Sequence, residues 1–125
     1  MKSRFGVLAA ALLAATGIAQ DPAGKIELKV LYAGVPDAPR TAEWKEFLSK
    51  TFSGVGTVDL ELLDASAAKD FDVVIVDSPT PIQSDGTFKL PKPEKLSLEF
   101  TKPTILLGAA GGAVLNGLMI KLQWL

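Results

Sequence analysis

The stretch FDVVIVD, residues 71–77, places four consecutive β-branched residues between two aspartates. A short run that is apolar on both faces predicts a parallel strand covered by helices on both sides. Such a strand needs neighbours, and three further strand patterns surround it: KIELKVLYAG at 25–34, VDLELLD at 58–64 and TILLG at 104–108. The second of these alternates strictly between apolar and acidic residues, which is typical of a half-buried strand at a sheet edge.

A helix is predicted between the first two strands, over TAEWKEFLSKTF at 41–52, with Thr41 as its N-cap. Its apolar residues recur at helical spacing and predict one stripe that packs on a sheet: Trp44, Phe47, Leu48 and Phe52. The glycines at 54 and 56 are expected to end the helix. Alternation of strands and helices indicates an α/β fold, a three-layer, flavodoxin-like parallel sheet in the order 2-1-3-4 with helices on both faces.

The last strand runs into a second predicted helix, which Gly111 or Gly112 opens and which extends to Trp124. Because it is apolar nearly all round, we expect it to be buried. A fifth strand normally follows such a helix, so the natural sequence is expected to continue beyond Leu125. The alternative is a four-stranded domain whose last helix ends the protein. The proline-rich segment 78–101 is expected to be irregular, with a small hairpin about Asp85-Gly86.

The N-terminus has the pattern of a secretory signal peptide. Residues 1–4 are basic, residues 5–19 form an apolar run, and small residues at 17 and 19 suit cleavage before Gln20. The predicted organisation is a signal peptide at 1–19, a linker at 20–24 and a single α/β domain at 25–125. An exported protein, periplasmic or secreted, is therefore expected, with no membrane span after cleavage. The alternative, an uncleaved anchor, would need about 20 apolar residues.

The amino-acid composition limits the partners, metals and catalytic groups that can be expected. The chain has 13 basic and 14 acidic residues, and neither histidine nor cysteine. Without a basic cluster outside the signal, nucleic acid is not an expected partner. Without histidine and cysteine, disulfides are excluded, and the commonest transition-metal ligands and the commonest general base are missing. No metal and no cofactor are predicted, and the expected partner is a small molecule or another protein.

Ligands of doubly wound sheets bind at the carboxyl ends of the strands. The residues that the topology brings to that edge form the candidate ligand site: Gly34, Asp77, Ser78, Gly108, Ala109, Ala110, Gly111 and Gly112. Asp64 follows the second predicted strand and belongs to the same edge. Tyr32 is a candidate for the rim of the pocket.

Residues 108–112 have the spacing G-x-A-x-G of a nucleophile elbow, with Ala110 at its centre. With VLYAG at 30–34, FDVVIVD at 71–77 and KPTILLGAAGG at 102–112, the chain resembles the class I glutamine amidotransferase-like superfamily, including its trehalose-utilisation-type branch. The resemblance covers most of residues 25–125 and implies a flavodoxin-like fold with a pocket above the elbow. The amidotransferases carry cysteine at the centre of the elbow and a downstream histidine and glutamate, which this sequence lacks, so the resemblance does not support glutamine hydrolysis.

Other interpretations of these residues stay open. The small-residue turn is also explained by tight strand-to-helix packing alone, or by anion binding at a helix N-terminus. Asp77 at a strand end commonly caps the following turn. A pairing of Asp64 with Asp77 as acid and base, or as ligands of an all-oxygen metal site, is a further alternative.

The function predicted from the sequence is an exported, non-catalytic amidotransferase-like domain with a binding or scaffolding role, and no catalytic residue is assigned. One alternative is a hydrolase-type or carbohydrate-related enzyme of the trehalose-utilisation-type branch, with its remaining catalytic residues beyond Leu125. A purely structural domain is the other alternative.

Overall fold

The computed structural model describes residues 24–79, 84–87 and 91–120. Four strands, two helices and a single 3₁₀ turn are found there. In chain order they are β1 (Ile26–Gly34), α1 (Pro39–Thr51), β2 (Phe52–Asp59), the 3₁₀ turn (Leu60–Leu62), β3 (Val73–Val76), β4 (Thr104–Leu106) and α2 (Gly108–Gly117). The predicted signal peptide and most of the predicted linker lie outside the described residues.

The four strands form one parallel sheet in the order β2-β1-β3-β4, which confirms the predicted flavodoxin-like α/β fold. β1 lies in the interior of the sheet and pairs with β2 over its whole length and with β3 over residues 30–33. Because both of its edges and both of its faces are occupied, every residue from Val30 to Gly34 is buried. This double cover is the physical reason for the apolar run in the second half of β1.

One face of the sheet is covered by α1. Alternate residues of β1 and β3 meet the helix there, and the fully buried members of this layer are Val30, Tyr32, Leu48 and Ile75. Trp44 packs against this layer, as its helical spacing predicts. Phe47, expected on the same stripe, is 60% exposed.

The opposite face is covered by the crossover after β2 and by α2. Its buried members alternate with those of the α1 face: Leu31, Ala33, Leu60, Leu63, Ala68, Val74, Val76, Ala110 and Val114. Leu96 and Phe100, from the long segment after β3, pack against the same layer. The domain therefore has three layers, with helices on both faces of the sheet.

Both ends of α1 differ from the prediction. The helix begins at Pro39 rather than Thr41, and the Thr41 hydroxyl donates to the carbonyl of Val35 at 2.7 Å instead of capping the helix. The helix ends at Thr51 and β2 follows at once, so Phe52 belongs to the strand.

The two glycines predicted to form a loop lie inside β2. A Cβ on Gly54 would lie 2.9 Å from Cγ of Lys29, and one on Gly56 would overlap the ring of Phe71. Glycine is therefore required by close neighbours in the sheet rather than by a turn.

The strand predicted at 58–64 is wrong beyond Asp59. Asp59 accepts a hydrogen bond from the backbone N–H of Glu61 at 2.9 Å and starts a 3₁₀ turn. This turn and the residue after it place Leu60 and Leu63 in the core and leave Leu62 62% exposed. The two buried leucines are three residues apart, which is the repeat of a 3₁₀ helix. Over so few residues this pattern is easily mistaken for the alternation of a strand.

The second helix also differs from its prediction. It begins at Gly108, ends at Gly117, and is only partly buried. It closes with a Schellman motif, because Ile120 N–H donates to Leu115 O at 3.0 Å and Met119 N–H donates to Asn116 O at 3.1 Å. The last five residues of the predicted helix, 121–125, lie outside the described residues.

Of the proline-rich segment 78–101, residues 78–79, 84–87 and 91–101 are described. Gly86 has a φ of +80°, and Asp85 accepts hydrogen bonds from the backbone N–H and the hydroxyl of Thr87 at 2.9 and 2.6 Å. These bonds hold the pKa of the Asp85 carboxyl below its usual value. The flanks of the predicted hairpin, Ile82 and Phe88, lie outside the described residues. Within the described ranges, no helix is long and apolar enough to cross a bilayer.

The Schellman motif generates a prediction about Met119. This residue has a φ of +53° and is 79% exposed. A left-handed backbone destabilises the folded state for a residue with a side chain, and the exposed side chain of Met119 adds little packing to offset this. We expect Met119→Gly to raise the free energy of unfolding by about 0.5–1 kcal/mol. Asn116→Gly, inside the same helix, should instead lower it by roughly 0.3 kcal/mol, the difference between the helix propensities of asparagine and glycine. Urea unfolding of both variants measures the two changes, and equal destabilisation would contradict the assignment of Met119 as the helix-ending residue.

Candidate functional site

The candidate site lies at the carboxyl edge of the sheet, where Asp77 follows the last residue of β3. The backbone N–H of Asp77 donates to the carbonyl of Ala33 at 3.0 Å and so continues the pairing of β3 with β1. The residue is 2% exposed. A carboxylate this deeply buried requires partners of its own, since an unpaired buried charge is costly.

The first partner is the phenol of Tyr32, whose hydroxyl donates to Oδ2 of Asp77 at 2.8 Å. Tyr32 lies opposite Ile75 in the β1–β3 register, two residues before Asp77 on the neighbouring strand. Because both side chains point to the α1 face, the phenol reaches forward along the sheet to the carboxylate.

The second partner is the guanidinium of Arg40, in the first turn of α1. Its Nε donates to Oδ2 of Asp77 at 2.6 Å and its Nη2 donates to Oδ1 at 3.2 Å. Two-point contact of this kind fixes the orientation of both groups. The Arg40 side chain is 50% exposed whereas that of Asp77 is 3% exposed, so the arginine covers the carboxylate from the solvent side.

Two neighbours hold the ring of Tyr32 in position. Trp44 stacks on it with a centroid distance of 5.7 Å and an angle of 24°. Gly34 leaves the space that the ring occupies, because a Cβ at this position would lie 2.5 Å from Cε1 of Tyr32. Gly34 was predicted as a ligand-site residue, and the structure gives it this packing role beside the buried phenol.

These contacts define the Tyr32–Asp77–Arg40 cluster. Burial, together with the hydrogen bond and the negative charge of Asp77, raises the pKa of Tyr32 well above its usual range, so its phenol stays protonated. The hydrogen bond to Asp77 and its negative charge also raise the pKa of Arg40. The cluster is thus a neutral phenol, a carboxylate and a guanidinium bound to one another, and none of the buried side-chain polar atoms in the described chain lacks a partner.

The sequence located Asp77 but not its partners. The observed partners of the Asp77 carboxylate are Tyr32 and Arg40. Its interpretation as a cap of the following turn stays a prediction, because part of that turn lies outside the described residues. Tyr32 is 1% exposed and forms no pocket rim. With Thr41 as the predicted N-cap, Arg40 lies outside the helix; only a helix that begins at Pro39 places this cation in the first turn, where it opposes the helix dipole unless a carboxylate lies beside it.

Asp64 and Ser78 have local partners. Oδ1 of Asp64 accepts from the backbone N–H of Ala67 at 2.8 Å, which caps the turn that begins there. Asp64 thus follows the 3₁₀ turn rather than a strand, and its pairing with Asp77 stays a prediction. The hydroxyl of Ser78, 6% exposed, donates to the carbonyl of Pro79 at 3.0 Å.

Two of the small residues after β4 pack against the core or against β4 itself. The left-handed residue of the turn is Gly108, with a φ of +57°, and α2 already includes Ala109 to Gly112. Ala110 is fully buried in the core on the α2 face, while Ala109 and Gly112 are exposed. In a nucleophile elbow the central residue is strained and presents its side chain to the pocket. Here the left-handed position is Gly108, which glycine adopts without strain, and the side chain of Ala110 contributes to the core.

Gly111 explains why small residues are needed. A Cβ on Gly111 would lie 2.8 Å from the backbone carbon of Leu106 and 2.8 Å from its Cβ, so α2 approaches β4 too closely for a larger residue. A Cβ on Gly112 would meet nothing within 4 Å.

Two clefts lie beside α1. The larger, of about 540 Å³, is formed by the loop after β1, the start of α1 and the end of β2; its lining includes Asp37, Thr41, Ala42, Lys45 and Asp59. The smaller, of about 330 Å³, is lined by Arg40, Glu43, Trp44 and Phe47. Neither is lined by residues 108–112, so these clefts are separate from the predicted pocket above the turn.

Comparison with protein-family models, with curated proteins and with solved structures found no match. Residues 24–79, 84–87 and 91–120 contain no group of three or more acidic side chains that could hold a metal ion.

The packing of Gly111 can be tested against its neighbour. We expect Gly111→Ala to lower the free energy of unfolding by about 1–3 kcal/mol, because the added methyl group overlaps the backbone of β4. Gly112→Ala should be neutral or stabilising by up to about 1 kcal/mol, since alanine favours the helix. Urea unfolding measures both variants. Equal effects would show that the close approach of α2 to β4 does not restrict position 111.

The Tyr32 phenol generates a prediction about pH. Tyr32→Phe keeps the ring and its stacking on Trp44 but removes the donor to Asp77, so we expect a loss of about 1.5–3 kcal/mol at neutral pH. Because folding raises the pKa of Tyr32, the unfolded chain releases this proton first as the pH rises past about 10. The stabilising contribution is therefore complete below pH 10 and is lost above it.

The stability advantage of the unmodified chain over Tyr32→Phe should consequently shrink by up to about 1.4 kcal/mol per pH unit above pH 10. Urea unfolding from pH 7 to pH 11 measures it. A difference between the two chains that stays constant over this range would show that the phenol ionises alike in the folded and unfolded states.

Proposed function

We propose that this chain is an exported, non-catalytic α/β domain that binds a small molecule or a segment of another protein at the carboxyl edge of its sheet. The N-terminal pattern of residues 1–19 supports export. The resemblance to class I amidotransferase-like domains, carried by the strand sequences and the spacing of residues 108–112, stays part of this proposal.

One observation carries the non-catalytic assignment. Asp77 is the buried carboxylate at this edge, and both of its oxygens accept hydrogen bonds from Tyr32 and Arg40. A general base must reach the proton that it abstracts, and a metal ligand must be accessible to the ion, whereas the Asp77 side chain is only 3% exposed. The Asp77 carboxylate instead faces its own protein on both sides, and the sequence holds no histidine or cysteine to replace it.

The cleft of about 540 Å³ is the proposed binding site. Its volume lies within the range of small-molecule sites, about 300–1,000 Å³. Its lining combines apolar groups (Pro36, Ala38, Val58) with charges of both signs (Asp37, Asp59 and Lys45). Such a lining suits a small polar molecule that carries both donors and acceptors, or the side chains of a peptide.

The Tyr32–Asp77–Arg40 cluster holds one wall of this cleft in place. It ties the start of α1 to the ends of β1 and β3, and the wall of the cleft is built from that same first turn of α1. A wall fixed by an ion pair to a buried carboxylate is held in one shape before binding, which lowers the entropy that binding costs.

Ligand-observed NMR with a library of small polar molecules tests the proposal. For a molecule that binds the native state, saturation at about 100 times Kd adds about 2.7 kcal/mol to the free energy of unfolding. In a domain of this size, that corresponds to a rise in Tm of roughly 10 °C or more.

A matched pair of variants tests the location. Ala42 is exposed and lines the cleft, so Ala42→Trp should fill the cleft and abolish the rise in Tm with the fold intact. Lys50→Trp places the same side chain on an exposed position of α1 away from the cleft and should leave binding unchanged. Binding that survives Ala42→Trp would contradict the proposed cleft, and catalytic turnover by the purified chain would contradict the non-catalytic role.

A further inference from the structure

β4 lies at the edge of the sheet. It pairs with β3 on one side, and in the described part of the chain no strand pairs with its other side. An exposed strand edge presents unpaired N–H and C=O groups, which natural proteins usually protect.

The hydrogen bonds to β3 show which groups of β4 point outward. Val74 N–H donates to Pro103 O at 2.9 Å, and Leu107 N–H donates to Val76 O at 2.9 Å. In a parallel ladder, alternate residues bond to the same neighbour, so residues 103, 105 and 107 face β3. The N–H and C=O groups of Thr104 and Leu106 therefore face outward.

Charge does not protect this edge. Residues 103–120 contain no charged side chain. The nearest lysine, Lys102, points elsewhere, because its ammonium group donates to the carbonyls of Lys69 at 3.0 Å and Phe71 at 2.6 Å. A lysine bound in this way cannot block the approach of another strand.

Ile105 marks the same edge on the α1 face. Its register partner, Ile75, is buried under α1. α1 packs on β1 and β2, so it leaves Ile105 50% exposed.

We propose that this edge binds a second copy of the chain, with β4 antiparallel to its own symmetry mate about a two-fold axis at Ile105. In that register Thr104 lies opposite Leu106 of the other copy. Each pair exchanges two N–H···O bonds, which satisfies all outward groups of both residues. The four described strands of each copy then form one continuous eight-stranded sheet with isologous contacts.

Two properties favour a second copy over a different protein. A two-fold interface places each residue against the same surface, so it is stable only where like charges do not meet, and the uncharged stretch 103–120 fulfils this condition. The symmetric register also leaves Ile105 directly opposite its own mate, in a pair without hydrogen bonds where side chains approach most closely. Because β4 has only three residues, the dimer is expected to be concentration-dependent.

Disulfide trapping tests the register. In the proposed pair the two Ile105 Cα atoms lie about 4.5 Å apart, which is within the range that a disulfide spans. The chain has no cysteine, so Ile105→Cys introduces a single thiol. Mild oxidation should convert most of this variant to a covalent dimer at concentrations where Phe47→Cys, at a similarly exposed position on α1, stays largely monomeric.

A charge variant tests the interface without a covalent bond. Ile105→Lys sets two like charges opposite each other and should raise the dimer Kd by about tenfold or more. Leu62→Lys is the control, since Leu62 is 62% exposed and lies on the crossover after β2. Sedimentation velocity over a concentration series measures both, and circular dichroism checks the fold.

A chain that stays monomeric at all concentrations, or whose Ile105→Cys variant gives no more covalent dimer than Phe47→Cys, overturns the proposal. A dimer that survives Ile105→Lys overturns it as well, as does equal weakening by Leu62→Lys. A strand from elsewhere in the chain that covers β4 would give the first of these results.

Discussion

The buried carboxylate of Asp77 is the constraint on which the rest of this domain depends. Removing a charge from water costs several kcal/mol, and only close partners offset that cost. The partners here are Tyr32 on β1 and Arg40 on α1, which are 45 and 37 residues away in the sequence. The carboxylate can therefore be buried only when β1, β3 and α1 are in their native positions, and loss of one partner would leave a charge in the core.

The same constraint explains small residues that have no chemistry of their own. Gly34 lies two residues after Tyr32, and a larger residue there would displace the tyrosine ring. Trp44 lies over the ring on the solvent side, so the phenol is enclosed between the sheet and the helix. Polar and aromatic groups thus form one unit at the carboxyl edge, and two of its members, Arg40 and Trp44, line the smaller cleft.

Much of the fold could be predicted from the sequence. β3 and the second half of β1 are apolar runs because they are covered on both faces, and this pattern predicted the parallel sheet. The order of the strands was predicted from residues 58–64, interpreted as a half-buried edge strand, of which only the start belongs to β2. β2 was misplaced because its glycines make room for Lys29 and Phe71, and such contacts leave no signal in the local pattern. Leucines that follow β2 alternate like a strand, yet Asp59 starts a tighter turn there.

The site could be predicted only in part. Topology alone brings Asp77 to the carboxyl edge, so its place followed from the strand order. Its partners depend on where α1 begins, and a shift of two residues, from Thr41 to Pro39, decides whether Arg40 is helical. The turn after β4 was recognised as a close approach of helix and strand, but the sequence could not tell a pocket from a packing contact.

The chain path has a consequence for the order in which the domain gains its structure. β1, α1 and β2 follow one another without interruption, whereas β4 is separated from β3 by a long irregular segment. Contacts that close longer loops form at a greater entropic cost, so the β1–α1–β2 unit is the natural place for folding to begin, with β4 and α2 added last. The same hierarchy applies to opening: amide protons of β1 should exchange with solvent only on global unfolding, whereas that of Leu107 should exchange through local release of the β4–α2 segment.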